Sequence, residues 1–316
     1  MPRAPLTAPR ETILVREIRY SHHVHEFTPL RSSSSRQRRD IQRTLSHAVL
    51  FTGVTILTVP FVLPLFWMIS TSLKSDPQVY HVPPIWLPWP MRPQNYPEAL
   101  QVQPFGLFFL NSLQYSSAAV LGQVISCSLP AYGFARLQWP GRNLLFALCI
   151  AVMMVPQQVT MVPLFLIFRQ LHWINTYRPL IVPAFFGSAY YIFLLRQFFL
   201  TIPQDFSEAA RIDGASEFRI FLQVIMPLAK PALIVVAVFE TISTWDNYLG
   251  PLIYLDSTRL YPMALGLQQL QSSFVERLAW PYLMSATTTF VLPLTLLFLV
   301  TQHFISEGIT ITGLRG

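Results

Sequence analysis

The chain has 316 residues, a hydrophobic fraction of 52%, a charged fraction of only 12% and a formal net charge of +7. Soluble globular domains carry about 25% charged residues, so this composition excludes an ordinary soluble protein. The positive charge needs no nucleic-acid partner, because it collects in the segments between apolar runs, as in membrane proteins.

Six apolar runs predict membrane-spanning helices. Three of them lack Asp, Glu, Lys and Arg over more than the roughly 20 residues that a helix needs to cross the hydrocarbon core. The runs are continuous and do not alternate with period two, so they predict helices and not a barrel. The predicted spans are 48–70, 108–135, 143–168, 179–195, 231–255 and 280–305. The predicted fold class is therefore all-α, a polytopic membrane protein with six transmembrane helices in contact with lipid.

Arginine and lysine are distributed unequally between the connecting segments. If the N-terminus is cytoplasmic, the cytoplasmic segments 1–47, 136–142, 196–230 and 306–316 hold sixteen basic residues, and the opposite side holds six. Cytoplasmic loops are enriched in Lys and Arg. The sequence therefore predicts that both termini are cytoplasmic.

The first 46 residues predict a disordered, basic cytoplasmic tail ahead of a membrane domain over 47–316. The tail contains nine arginines and the stretch RSSSSRQRRD at 31–40, a composition that does not form a packed core. Its three clustered histidines lack neighbours that would complete a metal site, so no metal is expected.

The segment 201–231, between the fourth and fifth predicted spans, predicts two short helices joined by a tight turn. Thr201 and Gln204 fit a capping box at the start of the first helix, and Gly214 supplies the left-handed turn that ends it after Asp213. Ser216 is expected to cap the second helix. That helix carries an apolar stripe at helical spacing, Phe218, Phe221, Leu222 and Ile225. The stripe either packs on the chain's own helices or binds a partner.

Two helices joined by a turn also occur in DNA-binding proteins. Between Pro203 and Ile225, however, four acidic residues outnumber two arginines. A net negative hairpin binds phosphate poorly, so no nucleic acid is expected.

The order of residues in this segment resembles the EAA loop of ABC-importer permeases. Glu208, Ala209 and Ala210 are followed by Gly214 and, after the apolar stripe, by Pro227. Short motifs elsewhere resemble the carbohydrate-uptake, maltose-type branch of this binding-protein-dependent family: Ser72-Leu73-Lys74, PPIWLP at 83–88, Asn95-Tyr96, Asn111-Ser112, AYGFAR at 131–136 and the ending 308–316. Together these motifs cover about 47–316 and leave the tail without a counterpart.

This resemblance implies a type I ABC-importer permease fold in the inner membrane, with no catalytic residue and no cofactor of its own. The hairpin would be a coupling helix that docks into a groove of an ATP-binding-cassette ATPase dimer, which binds ATP and Mg²⁺. The other implied partners are a second related permease, an extracytoplasmic solute-binding protein and a carbohydrate substrate. The implied coupling residues are Glu208, Ala209, Ala210, Asp213, Gly214, Phe218 and Pro227.

The sequence offers no phosphate-binding loop. Neither of its two lysines, Lys74 and Lys230, follows a glycine, so the G-x-x-x-x-G-K-[ST] motif does not occur. ATP hydrolysis is therefore expected on a partner, and the chain is predicted to be a transport subunit and not an enzyme.

Two acidic residues, Glu240 and Asp246, lie in the predicted fifth span. Acids are costly in hydrocarbon and usually face a cavity or a polar partner. Together with Trp245 and Asn247, they resemble a family segment that would line the transport pathway and suit a polyol. Hydrogen bonding between helices explains them equally well, and both interpretations stay open.

Two other function classes also stay open. An ion-coupled secondary transporter would suit Glu240 and Asp246 but usually has internal repeats, and none is obvious here. A membrane-embedded enzyme would need a catalytic motif, and the sequence contains no HExxH, no GxSxG and no paired intramembrane aspartates. Neither class explains the 201–231 segment.

Overall fold

The computed structural model describes the backbone over residues 33–275 and 279–313, and the side chains over 46–272 and 279–304. Every regular element in this part of the chain is a helix, which confirms the predicted all-α class. The chain divides into two compact units, residues 1–61 and 62–316. The functional features described below all lie in the second unit.

Helix α1 (Ser33–Ser72) begins within the segment 1–46, and a separate cytoplasmic tail over that segment stays a prediction. Residues 33–46 are helical, although their composition is polar and basic. Adding residues to an existing helix costs far less than nucleating one, so an apolar helix extends readily into its polar flank. Residues 1–32 lie outside the described part of the chain.

Among the described residues, four helical segments are long and apolar enough to cross a membrane: Ser46–Ser72, Phe105–Arg136, Arg178–Thr201 and Trp280–Phe304. Two helix pairs also qualify, each bent at a short break. Arg142–Val152 and Gln157–Gln170 meet at 92°, and Glu217–Leu228 and Lys230–Trp245 meet at 76°. Counting each bent pair as one span gives six spans, the predicted number. The second pair covers 217–245, so it begins within the predicted hairpin and ends before the predicted end of the fifth span at residue 255.

The first half of the chain contains long helices and two short connecting ones. After α1 come α2 (Asp76–Val79), α3 (Asn95–Gln101), α4 (Phe105–Arg136), α5 (Arg142–Val152) and α6 (Gln157–Gln170). A short helix α7 (Arg178–Ile181) and a 3₁₀ helix (Val182–Phe186) then lead into α8 (Ala189–Thr201).

The second half begins with the predicted hairpin. It comprises α9 (Asp205–Ile212), α10 (Glu217–Ile220), a π-helix (Phe221–Ile225) and α11 (Met226–Leu228). The remaining helices are α12 (Lys230–Trp245), α13 (Leu249–Tyr254), a 3₁₀ helix (Thr258–Leu260), α14 (Met263–Val275) and α15 (Trp280–Gly313).

The third and fifth spans are not the continuous helices that hydropathy predicts. The third span breaks at residues 153–156, where Pro156, which has no backbone N–H to donate to α5, precedes α6. The predicted span 231–255 ends at Trp245 instead. Just beyond it, the Asn247 side chain accepts a hydrogen bond from the Gly250 N–H at 3.0 Å, a local bond that competes with helix formation.

Helix α4 lies at the centre of the second unit and packs along both α8 and α12. One cluster of buried side chains joins these helices to the second arm of the hairpin, including Tyr132, Leu195, Phe199, Ile225 and Val236. A second cluster joins the start of α4 to α12, α14 and α15. In this cluster α14 lies very close to α4, since a Cβ added at Gly266 would be 2.3 Å from the Phe108 ring. This frame positions the hairpin at one end of α4.

Candidate functional site

The hairpin, residues 205–228, turns at Gly214, whose φ of +80° lies in the left-handed region. The Gly214 N–H donates to the Arg211 carbonyl at 3.0 Å, and the Ala215 N–H donates to the Ala210 carbonyl at 2.9 Å. These two bonds close a helix in the Schellman arrangement. The Ser216 hydroxyl accepts from the Arg219 N–H at 3.4 Å and caps α10. The predicted turn and cap are both confirmed.

The predicted capping box at the start of α9 is wrong. Thr201 is the last residue of α8, and its hydroxyl donates to the Phe198 carbonyl at 2.7 Å. Gln204 precedes α9 without a side-chain cap bond. A threonine within a helix can satisfy its hydroxyl on the preceding turn, so its sequence position alone does not identify a cap.

The predicted apolar stripe divides between two faces of the hairpin. Phe221 and Ile225 are buried in the core cluster, whereas Phe218 is 63% exposed and Leu222 is 47% exposed. The first arm adds Ile212, which is 86% exposed. A π-helix over 221–225 widens the turn where the stripe divides. The hairpin therefore packs on its own unit with one face and presents apolar side chains on another.

The implied coupling residues lie mostly on the exposed side of the hairpin. Glu208, Ala209, Asp213, Gly214, Phe218 and Pro227 are exposed, while Ala210 is half-buried against the core cluster. Their neighbour Ser207 is buried. The hairpin thus leaves most of the implied coupling residues exposed, together with Ile212, Phe218 and Leu222.

Sequence reasoning did not identify a polar network at the base of the hairpin. Glu217 accepts a hydrogen bond from the Tyr132 hydroxyl at 2.6 Å and another from the Arg211 Nε at 2.6 Å. The Glu217 carboxylate raises the pKa of the Arg211 guanidinium by this bond. In the sequence, Tyr132 lies four residues before Arg136 at the end of an apolar run. Two polar side chains at this helical spacing are the signal that could have pointed to a polar network here.

A second candidate site is a cavity of about 640 Å³ that α4 lines together with parts of α5 to α8, α12 and α13. Its polar lining includes Tyr115, Gln123, Gln157, Ser188, Glu240 and Asn247. Aromatic rings also line it, among them Phe168, Tyr190 and Tyr254. Hydrogen-bonding side chains beside aromatic faces are what a hydroxyl-rich solute needs.

The four residues predicted for a pathway have different environments. Glu240 is buried beside the Tyr191 hydroxyl and lines the cavity, and Asn247 lines it with its Nδ2 donating to the Tyr115 hydroxyl at 2.9 Å. Trp245 is instead a core residue, whose Nε1 donates to the Phe290 carbonyl at 3.2 Å. Asp246 is exposed just beyond the end of α12 and is not among the residues that line the cavity.

Metal ligands do not converge in the described side chains, where no three His, Cys, Asp or Glu residues form a group that could hold an ion. The three clustered tail histidines lie outside the described residues. Neither the hairpin nor the cavity therefore presents a metal site.

Comparison with known proteins gives consistent matches. Residues 125–311 match the family described as "Binding-protein-dependent transport system inner membrane component". The chain is 34% identical over 209 residues to the arabinooligosaccharides transport system permease protein of Bacillus subtilis (strain 168), covering 66% of this chain and 73% of the relative. It is 30% identical over 267 residues to the sulfoquinovosyl glycerol transport system permease protein of Agrobacterium fabrum (strain C58), covering 84% and 93%.

The fold also matches a solved structure. A chain of a bacterial ABC transporter involved in the import of the acidic polysaccharide alginate superposes with a TM-score of 0.72 at 24% identity, covering 84% of this chain and 97% of that one. The likeness supports the permease fold predicted from the sequence.

The family match covers more than half of the chain, and both relatives are aligned over most of their length. An ion-coupled secondary transporter and a membrane-embedded enzyme are therefore the wrong classes. The chain is a multi-pass protein of the inner membrane and a transport subunit, not an enzyme. It belongs to the family of binding-protein-dependent transport system inner membrane components, the permease subunits of ABC importers.

Proposed function

We propose that this permease moves a carbohydrate or a related polyol across the inner membrane, driven by an ATPase dimer that docks on the hairpin. Membership of the family implies a solute-binding protein and an ATPase as partners. ATP and Mg²⁺ would bind to the ATPase. The two permeases compared above are named for solutes rich in hydroxyl groups, which supports a substrate of this class.

The exposed apolar face of the hairpin carries the docking proposal. Ile212, Phe218 and Leu222 are exposed in the hairpin, and charged or polar residues adjoin each of them in the sequence. Exposed apolar clusters rimmed by polar residues mark sites of protein interaction. A complementary groove on the ATPase would cover them.

Glu208 would give this interface its specificity. It is exposed and is followed by two alanines, whose small side chains allow close approach of a partner. We expect a basic side chain or backbone N–H groups of the ATPase to pair with its carboxylate. Unpairing such a charge in an interface costs about 2–5 kcal/mol, which weakens binding by roughly 30-fold or more.

Transport would follow from a population shift. ATP binding closes the ATPase dimer, the docked hairpin moves with it, and the spans exchange between inward- and outward-facing arrangements. The connecting segments on the predicted cytoplasmic side hold sixteen basic residues and those on the opposite side hold six. This inequality supports a topology with both termini in the cytoplasm.

The cavity beside α4 is the proposed pathway on this subunit. Glu240, Asn247 and Tyr115 supply donors and acceptors for solute hydroxyls, and Tyr190 and Tyr254 supply aromatic faces. The packing of Trp245 in the core and the position of Asp246 leave these two residues out of the proposed lining. A second, related permease would complete the pathway, since one six-span subunit forms only half of it.

The docking proposal is tested by fractionating membranes that contain the permease and the ATPase with which it co-purifies. Gly214→Val forces a β-branched residue into a left-handed conformation, and Glu208→Lys reverses the expected charge. We expect normal amounts of both permease variants in the membrane, with ATPase subunits released into the soluble fraction.

Gly141→Val is the matched control for Gly214→Val. Gly141 has a φ of +85°, and an added Cβ meets nothing within 4 Å at either glycine, so both variants carry the same kind of backbone strain. Gly141 lies between α4 and α5, outside the hairpin, and its variant should retain the ATPase. Wild-type transport and retained ATPase in Gly214→Val and Glu208→Lys would overturn the docking proposal.

A further inference from the structure

The sequence motif 131–136 lies at the end of α4, outside both the hairpin and the cavity lining. It places two polar side chains, Tyr132 and Arg136, four residues apart and therefore on one face of the helix. Tyr132 is buried and Arg136 is half-buried. Buried polar groups need hydrogen-bond partners. The Tyr132 hydroxyl and the Arg136 Nη2 find them on the segments that flank α9, whereas the buried Arg136 Nε has none among the described residues.

Arg136 binds the chain just before the hairpin. Its guanidinium donates to the Phe199 carbonyl at 2.7 Å and also to the Ile202 carbonyl, where α8 ends. The last carbonyls of a helix have no partner within the helix, so a cation there satisfies them and opposes the negative end of the helix dipole. Arg136 thereby ties the end of α4 to the end of α8.

Tyr132 binds the hairpin at its second arm. Its hydroxyl donates to Glu217, the first residue of α10, and its ring lies 5.2 Å from the Phe221 ring. The other carboxylate oxygen of Glu217 accepts from Arg211 in the first arm. One carboxylate therefore joins α4 to both arms, and hydrogen bonds to an ionised group are stronger than those between neutral groups.

We propose that Tyr132, Arg136 and Glu217 form a clamp that makes the hairpin and α4 move as one body during transport. This proposal rests on the proposed function, since the hairpin must receive motion from the ATPase. All three are positioning residues, because none of them lines the solute cavity.

Helix α4 carries the motion from the clamp to the cavity. It is one helix from Phe105 to Arg136, with Pro130 inside its last two turns, and contributes Gln123 and Tyr115 to the cavity lining. At 1.5 Å per residue, these side chains lie about 14 and 25 Å along the helix from Tyr132. A displacement of the hairpin that is transmitted through the clamp therefore reaches the proposed pathway on a single helix.

The test compares Tyr132→Phe and Glu217→Gln in the assembled importer in proteoliposomes. The measured quantity is the amount of solute imported per ATP hydrolysed, together with the amount of ATPase bound. Tyr132→Phe removes only the hydroxyl and keeps the ring against Phe221. We expect both variants to retain the ATPase and to import at least about fivefold less solute per ATP, because the lost bond is to a charged group.

The double variant shows whether the two residues act through one bond. If they do, the loss in Tyr132→Phe combined with Glu217→Gln is smaller than the product of the two single losses, because both changes act on the same bond. Tyr177→Phe is the control, since it removes a tyrosine hydroxyl that donates to the Leu260 carbonyl at 2.7 Å, away from the hairpin. It should leave the ratio unchanged.

The outcomes separate the clamp from the docking proposal. A wild-type import ratio in Tyr132→Phe, or losses that multiply in the double variant, would overturn the clamp. Retention of the ATPase by Glu208→Lys with wild-type transport would overturn the docking proposal instead. Release of the ATPase by Tyr132→Phe would also contradict the clamp, since the hydroxyl would then act on docking and not on transmission.

Discussion

Two connections between spans use their side chains in opposite ways. In the α1–α4 connection, residues 73–104, polar groups point inward. Asn95 is 1% exposed, and its Nδ2 donates to the carbonyls of Ser72 and Lys74, both at 2.8 Å. The hairpin instead presents Ile212 and Phe218 outward. The first connection is fixed to its own unit by buried hydrogen bonds, whereas the second keeps an apolar face for a partner.

The α1–α4 connection also turns a charged side chain inward. Lys74 is fully buried, with its Nζ 3.7 Å from the centre of the Trp67 ring and 3.3 Å from the Thr71 hydroxyl. Burial lowers the pKa of this ammonium group. The connection does expose Trp89 and Val82, but amphipathic aromatic rings of this kind suit a membrane interface. Exposed apolar residues alone therefore do not identify a docking surface, and the presence of Glu208, Ala209 and Ala210 in the hairpin is what distinguishes it.

Asn95→Ala should have the largest effect on stability. It would remove the side-chain donor of the Lys74 carbonyl and one of the two side-chain donors of the Ser72 carbonyl, which also accepts from the Ser285 hydroxyl at 3.1 Å. We expect a loss of about 1–3 kcal/mol. We expect a lower thermal unfolding midpoint of the purified permease and unchanged binding of the ATPase. Gln101→Ala, at the exposed end of α3, is the control and should change neither quantity. Release of the ATPase at an unchanged midpoint would show that the connection, too, serves docking.

Glu98→Gln should have a smaller effect that depends on pH. The Tyr282 hydroxyl donates to Glu98 at 2.5 Å, and Arg92 lies 3.0 Å away, so the pKa of the Glu98 carboxyl falls below its ordinary value of 4.5. A carboxyl whose pKa is lowered on folding stabilises the protein above that ordinary value and loses this contribution as the pH falls through the folded-state pKa.

This prediction is checked by measuring the thermal unfolding midpoints of wild type and Glu98→Gln at several pH values. Wild type should be more stable at neutral pH, and the difference should shrink as the pH falls below 4.5. The side chains are exposed, so added salt should also reduce the difference. An equal difference at neutral and acidic pH would show that the glutamate acts through packing and not through its charge.

Local chemistry allowed the hairpin turn to be predicted from the sequence. Gly214 and Ser216 act through their own backbone and the nearest turns, so their roles follow from residue type and spacing. The broken spans were not predicted, because hydropathy counts apolar residues and is insensitive to Pro156 or to the side-chain bond of Asn247. The division of the apolar stripe was also missed, since the π-helix changes the helical period on which the stripe was assigned.

Contacts between residues far apart in the chain could not be predicted from the sequence. Tyr132 and Glu217 are 85 residues apart, and no pattern within either segment shows that they meet. The same holds for Trp245, which was predicted to line a pathway on the basis of its neighbours. Its indole donates to Phe290 on α15 and lies in a core that only the packing of the two helices creates.

The most direct test of the account is site-specific crosslinking of the assembled importer in membranes. Single cysteines replace Ile212 and Phe218 on the hairpin, and Trp89 on the α1–α4 connection, each exposed in the permease. The account predicts that a short bifunctional reagent joins the 212 and 218 variants to the ATPase subunit, and that the Trp89→Cys variant gives no such product. Crosslinks to the ATPase from position 89, with none from positions 212 and 218, would contradict it.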